Sequence, residues 1–245
     1  MARILVTGST DGVGRASAAT LLQEGHDVVV HGRSSQRLHA ISSLLDQGAQ
    51  AVIGDLADLG QVRSVADQAN ALGPYDAVIH NAGVYSGPAL LPVNVVAPYV
   101  LTACIERPAR LIYLSSSMHH GGKADIAGAD WSGSAATHTY SDSKLFLTTL
   151  MAAVARLWPQ TLSHAVDPGW VPTKMGGAAA TDDLDLGHVT QVWLATSDDA
   201  VTLPSGQYWY HQEIQPLHRA VNDIHFQEEL LGALAKHTSI DLPRG

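Results

Sequence analysis

The chain has 245 residues, 46% of them hydrophobic and 15% charged, with a formal net charge of −9. This is a globular composition long enough for one sizeable core, and its acidic balance argues against nucleic acid or an anionic membrane as a main partner. A single cysteine, Cys104, excludes an internal disulfide, and thirteen scattered histidines lack the spacing of a metal site.

Ala2–Val6 is a short apolar run that reads as a buried strand. It enters Thr7-Gly8-Ser9-Thr10-Asp11-Gly12-Val13-Gly14 directly, and an alanine-rich helix follows from Arg15 to Glu24. Strand, glycine turn and helix together make a phosphate cradle: Gly8 for the tight turn, Gly12 for close backbone approach, Gly14 for helix packing. Val28–His31 reads as strand two, 35–47 as helix and Ala51–Ile53 as strand three. Residues 59–72 place Leu59, Val62, Val65, Ala66 and Ala69 on one helical face. Ala77–His80 is strand four, 92–105 a helix, Leu111–Leu114 strand five, 139–157 a long helix and Leu162–Val166 strand six. A helix near 184–196, a strand at Gln207–Tyr210 and a helix over 221–236 complete the pattern. Alternating β and α with short connections predicts one α/β domain over 1–245, a parallel sheet with helices on both faces. Its ligand belongs at the carboxyl ends of the strands.

An acid at the end of strand two would select NAD by holding the ribose 2′-hydroxyl. Here stand His31-Gly32-Arg33-Ser34. The Arg33 guanidinium suits a 2′-phosphate, Ser34 adds a hydroxyl and Arg15 a second cation, so NADP(H) is favoured over NAD(H); an Arg33 merely solvated in a loop is the alternative. Asp55-Leu56 fits an adenine contact, although such an aspartate also caps helices. Asn81-Ala82-Gly83 is a turn of small residues against which a cofactor could lie.

Tyr140-Ser141-Asp142-Ser143-Lys144 opens the long helix, and the i, i+4 spacing puts Tyr140 and Lys144 on one face. A free phenol, with pKa about 10, is a poor base near neutrality. A nearby ammonium lowers it, and an oxidised nicotinamide adds a second positive charge. Lys144 therefore has two candidate tasks, tuning Tyr140 and binding the nicotinamide ribose.

The full set resembles the short-chain dehydrogenase/reductase family: Thr7-Gly8-x-x-x-Gly12-x-Gly14, Asp55, Asn81-Ala82-Gly83, Asn94, Ser115-Ser116, Tyr140-x-x-x-Lys144 and Pro168-Gly169-x-x-x-Thr173, in family order. The resemblance implies a Rossmann-like fold of about seven parallel strands and hydride transfer between a nicotinamide and a carbonyl or alcohol carbon. It implies Tyr140 as proton donor or acceptor and Ser116 as the group that orients the substrate oxygen, with Ser115 and Ser117 as alternatives. It also implies Asn94 as the support of a water chain to Lys144, and Pro168, Gly169, Val171 and Thr173 as the nicotinamide-side loop. A non-catalytic NADP-binding sensor on the same fold is the rival reading.

Ser116 and Tyr140 are 24 positions apart, about twice the usual family interval and similar to the retinol-dehydrogenase-like branch. The extra segment, about Met118–His138, predicts a loop beside the site, with Trp131, Trp170, Met175, Trp209 and Tyr210 as candidate pocket walls. The helices around 92–105 and 139–157 resemble the family's dimer surface, which implies a homodimer or homotetramer unless that loop blocks it. The expected partner is a small carbonyl or alcohol substrate. Apolar runs too short for a membrane, and a first strand starting at residue 2, predict a cytoplasmic protein.

Overall fold

A computed structural model describes residues 1–244. The strands are β1 (Arg3–Val6), β2 (Asp27–Gly32), β3 (Gln50–Ile53), β4 (Ala77–His80), β5 (Arg110–Leu114), β6 (Leu162–Asp167), β7 (Gln207–Tyr210) and β8 (Glu213–Gln215). They form one sheet in the order β3-β2-β1-β4-β5-β6-β7-β8. The first seven pair in parallel, as expected, and β8 adds an antiparallel edge to β7 that the sequence reading does not include. The chain reverses direction across the sheet between β1 and β4, which opens a crevice at their carboxyl ends.

The helices are α1 (Gly12–Gln23), α2 (Ser35–Leu38), α3 (Ser42–Asp46), α4 (Leu59–Leu72), α5 (Ala97–Cys104), α6 (Tyr140–Leu157), α7 (Val189–Thr196) and α8 (Ile224–Thr238). Strand residues alternate between two cores. Leu5, Val29, Val78 and Leu111 face α4, α5, α6 and α8, whereas Ile4, Val30, Ile79 and Ile112 face α1, α3 and α7.

The helix expected over 35–47 is broken into α2, a 3-10 turn at His39–Ile41 and α3. The helix expected over 92–105 begins as a π turn, Pro92–Val96, before α5. The one expected near 184–196 starts only at Val189.

The segment after Ser117 packs on α6 and on the π turn that precedes α5. Lys123 N–H donates to Asp142 Oδ1 at 2.8 Å. Trp131 and His138 pack on Phe146 with ring centroids 6.0 and 5.5 Å away. From the other side α8 sets Phe226 against Phe146 (6.0 Å), and the chain beyond it accepts a hydrogen bond from Tyr99 Oη at Ile240 O (2.7 Å). Every residue from Asp142 to Val154 is buried. The face expected to meet a second copy is therefore covered by the chain itself. No described helix is long and apolar enough to cross a membrane.

Candidate active site

The glycine turn is built from the backbone outwards. Asp11, in extended conformation, caps α1, its Oδ1 accepting from Gly12 N–H at 2.9 Å. Gly8 and Gly12 have φ of +65° and +49°, where a side chain is strained. A Cβ on Gly8 would sit 2.8 Å from Ala82 Cα, and one on Gly14 would strike Asn81 Nδ2. The turn is thus held against β4 at a spacing that only glycine permits.

Three predicted binders hold the cradle from inside. Thr7 Oγ1 accepts from Asn81 N–H (3.0 Å) and Ala82 N–H (3.1 Å). Asn81 Nδ2 donates to Thr7 O at 2.8 Å. Ser9 Oγ, fully buried, donates to Val6 O (2.9 Å) and accepts from His31 N–H (2.8 Å). His31, missed as a site residue, completes the frame. Gly8 N–H donates to its Nδ1 (3.0 Å), and its Nε2–H donates to Gly54 O (2.9 Å). Those partners select the neutral Nε2–H tautomer, and burial pushes its pKa below the ordinary histidine value.

At the end of β2, Arg33 is exposed and Ser34 half-buried. Arg37, also missed, lies on the same rim, its guanidinium 3.4 Å from Thr10 Oγ1 and 3.7 Å from Asp11 Oδ2. Asp55 makes a local turn, Oδ1 accepting from Ala57 N–H (3.0 Å). Leu56 is turned into the core, which leaves little of its surface for a ring.

Tyr140 is the first residue of α6, placed by a capping box between Thr139 and Asp142. Lys144, one turn on, is buried, and its Nζ donates to Leu114 O at 2.6 Å. That ammonium lies 5.4 Å from the centre of the Tyr140 ring. A Cβ at Gly83 would lie 3.4 Å from Asn94 Oδ1, 3.7 Å from Lys144 Nζ and 3.9 Å from the Met175 methyl, so β4, α6 and the loop after β6 converge there. Asn94, in the π turn, accepts from Val84 N–H (2.8 Å) and donates to Val84 O (2.9 Å) and Ser143 Oγ (3.0 Å). Ser115 turns inward to Thr148 Oγ1 (2.6 Å), and Ser117 commits its N–H to Asp167 Oδ2 (2.6 Å). Ser116 stays half-buried at the loop surface, Oγ accepting from Met118 N–H at 3.2 Å.

The electrostatics reverse one expectation. Burial pushes the Tyr140 phenol well above 10, and the Asp167 carboxylate and Tyr85 add to the rise. Burial also pulls Lys144 down to about 8 against the opposing effect of Asp167. In the chain alone, desolvation is the largest influence on both groups.

The loop after β6 closes over the crevice. Val171 is buried, and its carbonyl accepts from Thr173 N–H at 2.8 Å. Gly169 takes φ +82° beside Asp182. The Thr173 methyl would lie 2.9 Å from a Cβ on Gly12, and Lys174 Nζ pairs with Asp11 Oδ2 at 2.5 Å. Of the expected pocket walls, Trp131 packs on Phe146 and Trp209 is fully buried against Trp193, so neither reaches the site. Trp170 and Met175 remain exposed beside it.

The sequence model of short chain dehydrogenases matches residues 2–103. A short-chain dehydrogenase of Penicillium rubens is 36% identical over 99% of this chain and 100% of its own. The chain belongs to the short-chain dehydrogenase family. An oxidoreductase of Emericella nidulans is 34% identical over the whole of both chains. A Shigella flexneri short chain dehydrogenase solved with NADP superposes with a TM-score of 0.70 at 23% identity, over 86% of this chain and 97% of that one. The family accounts for the alternating layers and the crevice between β1 and β4.

Proposed function

We propose that this protein is an NADP(H)-dependent oxidoreductase that reduces a carbonyl or oxidises the corresponding secondary alcohol. The observation that carries the reading is the convergence of Tyr140, Lys144, Asn94 and Gly83 beside the glycine turn. The cradle fits a dinucleotide, because glycines stand wherever a Cβ would close it. The N-terminus of α1 and the turn from Gly8 to Gly14 would hold the pyrophosphate, and Arg33 and Ser34, with Arg37, the 2′-phosphate. Asp55 and the Ala82–Gly83 backbone would flank the adenosine and the nicotinamide ribose, while Pro168, Gly169, Val171 and Thr173 would close the nicotinamide side. The NADP in the Shigella flexneri neighbour supports this cofactor.

When bound, the dinucleotide would supply or accept the hydride. Tyr140 Oη gives the proton to the oxygen that becomes an alkoxide, and Ser116 Oγ donates a hydrogen bond to that oxygen. Lys144 is held by Leu114 O beside Tyr140, and Asn94 fixes Val84 and Ser143 around it. A phenol is protonated at neutral pH, so Tyr140 is available there as a proton donor. Around the mouth stand Tyr85, its ring 4.9 Å from that of Tyr140, with Met118, Trp170 and Met175, all 42–54% exposed. Such a rim suits a bulky apolar ketone.

NADPH consumption with a panel of aryl and aliphatic ketones tests the reading. Tyr140→Phe should lower kcat by about a hundredfold or more while leaving the NADPH dissociation constant in place. Full turnover by that variant overturns it, and a parent that binds NADPH yet reduces no ketone favours the sensor.

A further inference from the structure

Asp142 and Asp167 are the only buried carboxylates among the described residues. Asp142 is accounted for by the cap of α6. Asp167 is the last residue of β6, and the chemistry above does not use it. Its Oδ2 accepts from Ser117 N–H (2.6 Å) and Tyr208 Oη (3.0 Å), and its Oδ1 from Gly169 N–H (2.9 Å). One side chain thereby joins the loop after β5, which carries Ser116, the loop after β6, which carries Val171 and Thr173, and strand β7.

We propose that Asp167 is a positioning residue for the carbonyl reduction assigned above, an assignment that rests on that reading: its carboxylate sets Ser116 and the nicotinamide-side loop in register and places a fixed negative charge facing Tyr140 and Lys144.

The surroundings are specific. His119, buried between this carboxylate and the 218–222 segment, donates from Nδ1 to Ser116 O (2.7 Å) and accepts at Nε2 from His218 N–H (3.3 Å). Ser116 is therefore held at its own carbonyl by His119 and through the next peptide N–H by Asp167. The titratable groups facing the carboxylate are Tyr140 and Lys144 from α6, His119 from the 3-10 turn, and Tyr208 and Tyr210 from β7. His120 and His218 act on His119, and Tyr85 on Tyr140. A negative charge here disfavours the phenolate and favours the ammonium, so it keeps both Tyr140 and Lys144 protonated to higher pH.

Two substitutions separate placement from charge. Ser117→Pro deletes the single N–H that meets Oδ2. The backbone accepts it, because Ser116 is extended (φ −169°, ψ 153°) and Ser117 opens a helical turn. Asp167→Asn removes the charge and also turns one acceptor oxygen into a donor amide, so its pH profile is the readout for charge and Ser117→Pro the readout for placement. Ser117→Pro should lower kcat for ketone reduction about tenfold to a hundredfold with the pH profile in place. Asp167→Asn should move the alkaline limit of reduction down by about one pH unit. In Ser117→Pro, which leaves the Gly169 contact alone, the NADPH dissociation constant read by tryptophan fluorescence should stay at the parental value. Parental kcat in Ser117→Pro, or an unmoved profile in folded Asp167→Asn, overturns the assignment. If Asp167→Asn does not fold, kcat of Ser117→Pro decides. A parent protein that reduces no ketone overturns the functional reading and this role with it; failure confined to the variants overturns this role alone.

Discussion

His31 shapes the proposed phosphate cradle from behind the glycine turn. It bridges Gly8 and Gly54 through both ring nitrogens, so the turn after β1 is tied to the end of β3. His31→Leu should strand the Gly8 N–H and cost about 1–3 kcal/mol of stability, read by denaturant unfolding, and NADPH binding should weaken with it. Arg33→Ala should weaken NADPH binding by roughly 1.5–3 kcal/mol and leave NADH binding in place, because only the 2′-phosphate loses a charged partner. Comparative titration with the two nucleotides checks this. The glycines, Tyr140 and Lys144 are legible in the sequence because each lies in a local pattern, a strand-turn-helix or an i, i+4 pair. The partners of His31 and Asp167 are not, because those bonds join residues 23 and 50 positions apart. The signal available for Asp167 was a carboxylate closing a strand at the sheet's carboxyl end, directly before Pro168-Gly169.

Elements were legible where burial and capping agree. β4 and β7 match their predicted bounds, and α6 starts within one residue of its own because Thr139 and Asp142 cap each other. Removing that cap by Thr139→Ala should cost about 1 kcal/mol, measured by thermal unfolding. Asp142 is pushed up by burial but pulled further down by hydrogen bonds from Lys123 N–H, Thr139 N–H and the Thr139 hydroxyl. The helix over 35–47 was misjudged because it is a shallow surface segment with a single buried residue in each of its latter two pieces. The course of the 118–138 segment was not legible at all, since its anchors, Trp131 and His138, gain meaning only against Phe146. The loop after β6 carries its own prediction. Lys174 and Asp11 are surface groups, so their pair adds little stability, yet it clasps the loop onto the glycine turn. Lys174→Met should speed NADPH association about twofold to fivefold in stopped flow with an unchanged melting temperature.

The whole molecule buries histidines as neutral groups. Burial pushes His80 down to about 3 and His164 to about 4, both from 6.5. The unfolded chain takes up these protons first. Their contribution is therefore complete above pH 6.5 and is lost as pH falls towards 4. At about pH 5 the loss is about 2 kcal/mol each, visible as a lower urea midpoint. The same scale decides assembly. With α6 covered by the 118–138 segment and α8, and the chain beyond α8 packed on α5, we expect a single chain in light scattering, and a dimer through that face would overturn this expectation. The sealed α6 also carries Tyr140 and Lys144, so the proposed reacting centre draws on one polypeptide. Its specific activity should then be the same at nanomolar dilution as at micromolar, and a defective copy cannot poison a sound one by mixing with it.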